Sequence, residues 1–65
     1  MWPVLRLTGV LTKADPRASA AILNGDIIGV NDSIEGVVVL EVESGGVLLE
    51  YQGEQRFLRV GRSVQ

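Results

Sequence analysis

Ala20-Ala21-Ile22-Leu23-Asn24-Gly25-Asp26-Ile27-Ile28-Gly29-Val30-Asn31-Asp32-Ser33-Ile34-Glu35-Gly36-Val37-Val38-Val39-Leu40-Glu41-Val42 decides how this chain folds. Two apolar runs, Ala20–Leu23 and Ile27–Val30, flank Asn24-Gly25. A two-residue type I′ hairpin needs φ > 0 at both central positions. Asn tolerates that region and Gly enters it freely, so Asn-Gly between apolar runs signals a hairpin. Asn31-Asp32-Ser33 is a second turn, capped by its own side chains. Ile34 is then expected to drop into the core as a plug, and Glu35-Gly36 turns the chain into Val37–Val42. The stretch reads as a β-meander.

The flanks extend it. Val4–Leu11 alternates, with Leu5 and Leu7 on one side and Arg6 and Thr8 on the other, the period of a half-buried strand. Pro3 suits a strand's first position, and Gly9 inside the strand signals a bulge, a bend or a close backbone approach. Thr12–Ala18 is a loop around Asp15-Pro16. Ser19–Leu23 is the second strand and Asp26–Val30 the third, where adjacent Ile27 and Ile28 predict cover on both faces. Val37–Val42 admits two readings. Strict alternation turns Val38, Leu40 and Val42 inward. A bulge near Leu40-Glu41 instead brings Val39 and Val42 to one face. Ser44-Gly45-Gly46 leads to Val47–Tyr51, with Val47, Leu49 and Tyr51 on one face. Gln52-Gly53 leads to Glu54–Val60, with Leu58 and Val60 inward and Phe57 outward or at a rim. Gly61–Gln65 is expected to fray. The expected fold is all-β: a small antiparallel β-barrel or sandwich of about six short strands, with no substantial helix.

Composition narrows function. The 65 residues form one domain, 1–65, too small to bury every apolar side chain on both faces of its strands. There is no His and no Cys, so neither a His-based catalytic pair nor a zinc site of the usual kind can be built. Of the carboxylates, Asp32 and Glu35 bracket a turn, where turn capping accounts for Asp32 better than acid–base work in so wet a place. Gly25, Gly29 and Gly36 lack the spacing and the following Lys and helix of a phosphate loop. The net charge is −2, and Arg56 and Arg59 fall on opposite strand faces, so no basic stripe or base-stacking platform points to nucleic acid. No enzyme, cofactor, metal or small-molecule substrate is expected. Trp2, Tyr51, Phe57 and an outward valine, Val37 or Val39, are an apolar surplus. They either cap the ends of the barrel or form a protein-binding face.

With the strands placed, the pattern resembles the periplasmic homology-region domain of GspC, the inner-membrane component of type II secretion systems. The resemblance is carried by Leu5, Leu7 and Gly9-Val10, by Asp15-Pro16, by Ser19–Leu23, and by Val30-Asn31-Asp32 with Ile34. Val39, Val42, Val47, Leu49, Gly53 and Leu58 match the closing half. The Ile22–Gly25 hairpin is also similar to GspB and MshK, and PilP has a related barrel. Asn31 stands where the family usually has Gly. The resemblance implies the bulge that brings Val39 and Val42 together. It also implies a non-catalytic adaptor of a type II secretion or type IV pilus machine. Such an adaptor docks on a secretin periplasmic domain, with Arg6, Thr8 and Val10 of the opening strand as the matching contacts; Trp2 and Phe57, from the apolar surplus, are the further candidate contacts. The expected location is the periplasm, as one domain of a longer chain held at the inner membrane by an anchor outside these residues. The readings set against it are a cytosolic SH3-like or OB-like small barrel that binds nucleic acid or a protein, and a fragment of a PDZ domain.

Overall fold

The computed structural model describes residues 1–64, apart from the side chains of Pro16, Ser63 and Val64. Eight short strands follow one another: β1 (Leu5–Leu11), β2 (Ala20–Leu23), β3 (Asp26–Gly29), β4 (Ser33–Ile34), β5 (Val37–Glu43), β6 (Gly46–Tyr51), β7 (Glu54–Arg59) and β8 (Ser63–Val64). One 3₁₀ turn, Pro16–Ala18, sits in the first loop. All pairings are antiparallel, and they make two four-stranded sheets, β3-β2-β1-β8 and β4-β5-β6-β7. The fold is an all-β sandwich, and the sheets do not close into a barrel.

Eight strands arise where about six were expected because two short ones, β4 and β8, form just past corners, where the sequence predicted a turn with a plug residue and a frayed tail. Asn31 stands at φ 72 between β3 and β4, and Gly61 at φ 87 between β7 and β8. Each left-handed residue turns the chain from one sheet into the other, the device by which sandwiches make corners. At the first corner Val30 N–H still bonds Ser19 O in the first sheet, while Asn31 N–H donates to Val39 O at 2.7 Å in the second. At the second, Val60 N–H donates to Gly45 O, and Gly61 N–H donates to Leu7 O at 2.8 Å. The predicted fray is therefore corrected over Gly61–Val64, which pairs with β1; Gln65 lies outside the described residues.

Both bulges anticipated in the sequence are present. The β1–β2 register shifts between Leu7 and Gly9, and the β5–β6 register shifts between Val39 and Glu41. The second brings Val39 and Val42 to the same side: Val39 is fully buried and Val42 packs against the core. The core itself is Trp2, Leu5, Leu7, Ala21, Leu23, Val37, Val39, Val47, Leu49 and Leu58, with Ile28, Ile34 and Tyr51 packed around it. A fully buried Leu or Val in such a core contributes about 1.5–3 kcal/mol. Three expectations fail here. Val37 and Val39, one or the other of which was expected to point outward, are both fully buried. Ile27 is not covered but 66% exposed, because no layer lies outside β3. Val60 lies in the corner rather than in a strand and is exposed, not inward.

Candidate protein-docking face

The bulge in β1 decides which side chains the first sheet shows to solvent. Without it, Arg6, Thr8 and Val10 would share the outer face. Thr8 is the extra residue, and beyond it the alternation inverts. Val10 turns inward and packs against the core, which corrects its placement as a contact residue. Gly9 and Leu11 turn outward in its place. Arg6 and Thr8 remain exposed.

The register then assembles two rows across the sheet. Gly9 lies opposite Ile22, and Ile22 opposite Ile27; Leu11 lies opposite Ala20, and Ala20 opposite Gly29. Their neighbours Val10, Ala21 and Ile28 face the core, so these six face outward. None is charged or polar. Gly9, Gly29 and the buried Ala20 lie between three aliphatic side chains, and Asp32 Oδ2 stands over Gly29, 3.2 Å from where a Cβ would sit. Leu11 is 42% exposed, Ile27 is 66% exposed and Ile22 is half-buried. Arg6 and Thr8 border the rows. The pairing at Arg6 also shows that this part of β1 has no free edge. Its N–H donates to Asn24 Oδ1 at 2.8 Å, and its carbonyl accepts from Asn24 N–H at 3.0 Å. On the other side Leu7 N–H donates to Arg62 O. A partner at this strand meets side chains, not an open backbone.

The other two expected contacts, Trp2 and Phe57, lie apart from the rows. Trp2 is only 4% exposed and belongs to the core, a correction to its place on a binding surface. It fills one end of the sandwich. Its ring tilts at 54° against Tyr51 with centroids 5.5 Å apart, and the Arg56 guanidinium carbon stands 4.9 Å from its ring centroid. Its indole Nε1–H donates to Glu54 Oε1 at 3.0 Å, while Arg56 Nε donates to Glu54 Oε2 at 2.9 Å. The indole bond and the Arg56 bond together hold the Glu54 carboxyl below its ordinary pKa of 4.5. Phe57 is 48% exposed, as expected, but on the outer face of the second sheet, beside Leu48.

Arg6, Thr8 and the outward rows therefore come together, whereas Val10, Trp2 and Phe57 do not join them. The sequence reading missed Ile27, Ile22 and Leu11. The Thr8-Gly9 pair held the signal, since an inversion at that point carries Leu11 outward. The chain matches no family model, no curated protein and no solved structure.

Proposed function

We propose that this domain is a non-catalytic adaptor of a type II secretion or type IV pilus machine, working in the periplasm from an inner-membrane anchor. It docks on a secretin periplasmic domain through the outer face of β3-β2-β1. The observation that carries the reading is the apolar run of Gly9, Leu11, Ile22 and Ile27 on the outer face, with Ile27 the most open of its side chains. A sheet face of this kind on a 65-residue domain is the usual mark of a protein interface. Two further features support the reading. The all-β sandwich is the class of fold the resemblance implies, and the Val39–Val42 bulge is the one it requires.

The test is a calorimetric titration of the chain with the first periplasmic domain of a secretin. Saturable binding is expected. Ile27→Asp combined with Leu11→Asp, both at exposed positions, is expected to weaken it by more than about tenfold, as loss of central apolar anchors does. A folded sample that shows no saturable binding overturns the proposal. So does binding of oligonucleotides that weakens steeply with salt.

A further inference from the structure

The second sheet holds a cleft that the docking face above does not use. It lies at the β5 bulge and is lined by Arg17, Val30, Leu40, Glu41, Val42 and Glu43, with a volume of about 230 Å³. Its origin is the first corner. Along one edge, β5 is paired as far as Val39, whose N–H donates to Asp32 O at 2.9 Å and whose carbonyl accepts from Asn31. The left-handed Asn31 then carries the neighbouring chain away into the first sheet, and beyond Val39 that edge of β5 is bare. Glu43 opposite Gly46 closes the Ser44-Gly45 turn as a hydrogen-bonded pair. Such pairs alternate along an antiparallel ladder, so Val42 directs its N–H and C=O away from β6 and into the bare edge. Neither group has a backbone partner among the described residues.

The side chains say what fits. Val30, Leu40 and Val42 give an apolar wall. Arg17 also lines the cleft, with a largely exposed side chain whose Nε lies 3.9 Å from Asp15 Oδ1. Glu41 and Glu43 are exposed and have no ion-pair partner among the described residues. Their charges are the uncompensated ones of the cleft. An aliphatic stem that ends in a cation satisfies both halves, with methylenes on the wall and the charge between the glutamates.

We propose that this cleft is a strand-addition groove for an extended peptide segment that presents a lysine or arginine. The segment's backbone bonds Val42 N–H and C=O, its long basic side chain lies along Val30, Leu40 and Val42, and its charge meets Glu41 and Glu43. The bare edge is short, so main-chain bonds hold the segment only loosely and the basic side chain sets the specificity. This groove opens beside the second sheet and does not depend on the docking face of the first.

The test uses the full chain and a fluorescein-labelled peptide of alternating valine and threonine with lysine at its centre, read by fluorescence anisotropy. Saturable binding is expected, lost when the central lysine is replaced by glutamate. Glu41→Gln with Glu43→Gln is expected to weaken binding about tenfold, since two partly solvated charge contacts are removed. These surface changes leave the fold intact, which circular dichroism checks. Amide shifts centred on Leu40–Glu43 are the expected spectroscopic mark. Equal affinity for the lysine and glutamate peptides, no saturable binding, or shifts confined to Gly9, Ile22 and Ile27 would each overturn the proposal.

Discussion

The two sheets share a core but turn opposite surfaces to solvent. Outside β3-β2-β1, the rows are Gly9-Ile22-Ile27 and Leu11-Ala20-Gly29, without a charge. Outside β5-β6-β7, the rows are Val38-Glu50-Gln55, Glu41-Leu48-Phe57 and Glu43-Gly46-Arg59. The second arrangement is how a sheet face stays solvated; the first leaves apolar area for which the domain has no layer of its own. The difference teaches that the first face presents Leu11 and Ile27 with no charge between them in the rows, while Met1, Val4 and Val60 are exposed away from it. The β1 bulge is what turns Leu11 to that side. Both faces carry glycine, and Gly9 and Gly46 do different jobs, which gives the sharpest way to break the comparison.

At Gly46 an added Cβ would run into the Leu58 carbonyl oxygen, and would stand 2.9 Å from Phe57 Cζ and 3.0 Å from Arg59 Cα. Two of these neighbours are backbone and cannot step aside. At Gly9 the nearest atom is Ile22 Cδ1 at 3.5 Å, an ordinary contact with a side chain. Gly46→Val is therefore expected to destabilise by about 3 kcal/mol or more, by prying β7 from β6. Gly9→Ala is expected to be neutral or to stabilise by about 0.4–1 kcal/mol through the unfolded chain. Urea unfolding of the two variants measures this. Equal losses would mean that both glycines serve strand packing and that Gly9 is not simply the floor of an open patch.

The next effect is smaller and compares the hairpins. Three turns place a non-glycine residue at positive φ before a glycine: Asn24 at 53, Glu35 at 55 and Gln52 at 50. In the first sheet, Asn24 also ties its hairpin to β1. Its Oδ1 accepts from Arg6 N–H and its Nδ2 donates to Val4 O at 3.2 Å. In the second sheet, Gln52 reaches only the exposed Tyr51 hydroxyl, at 3.5 Å. Asn24→Ala is expected to destabilise by about 2 kcal/mol, from two lost hydrogen bonds and added strain at positive φ. Gln52→Ala is expected to lose well under 1 kcal/mol. Thermal unfolding of the pair reads the difference. If Gln52→Ala proves the worse of the two, the Asn24 side chain is not what holds β2–β3 against β1.

These residues also show how far the sequence carries. The Asn24-Gly25 hairpin, the turn positions, the buried Leu5, Leu7, Val47 and Leu49, and the all-β class were legible because they follow from period-two alternation and turn chemistry. The two corners were not. A left-handed Asn31 reads in sequence as one more turn, and nothing local states that the chain changes sheets there. The fate of the strand end after Gly61 is a long-range matter in the same way. The face was half legible: Gly9 announced a bulge, but the consequence for Val10 and Leu11 depends on Thr8 being the inserted residue, which is fixed by the pairing with β2 and not by β1 itself. Trp2 was misplaced for a related reason. Its burial rests on Tyr51, Glu54 and Arg56, about fifty residues along the chain.

That cluster ties the segment entering the first sheet to the second sheet, and it supplies the smallest effect. Trp2 leads into β1 of the first sheet, while Glu54 and Arg56 belong to β7 of the second. Glu54 has a lowered pKa in the folded state, first because the indole N–H bonds its carboxylate and then because Arg56 does. A group depressed on folding adds stability that is fully present above its unfolded value and is lost as the pH falls through the folded one. The contribution is therefore complete at neutral pH and disappears on acidification below 4.5. The carboxylate is largely solvated, so the loss is expected to be a slight fall in the urea midpoint. Glu54→Gln should remove that part of the pH dependence. Trp2→Phe, which keeps a ring against Tyr51 but deletes the indole N–H, should remove the largest single part of it while weakening the core by a separate amount that does not change with pH. If Trp2→Phe leaves the acid limb as steep as before, Arg56 alone holds the carboxylate, and the tie across the sheets lies in ring packing and not in the hydrogen bond.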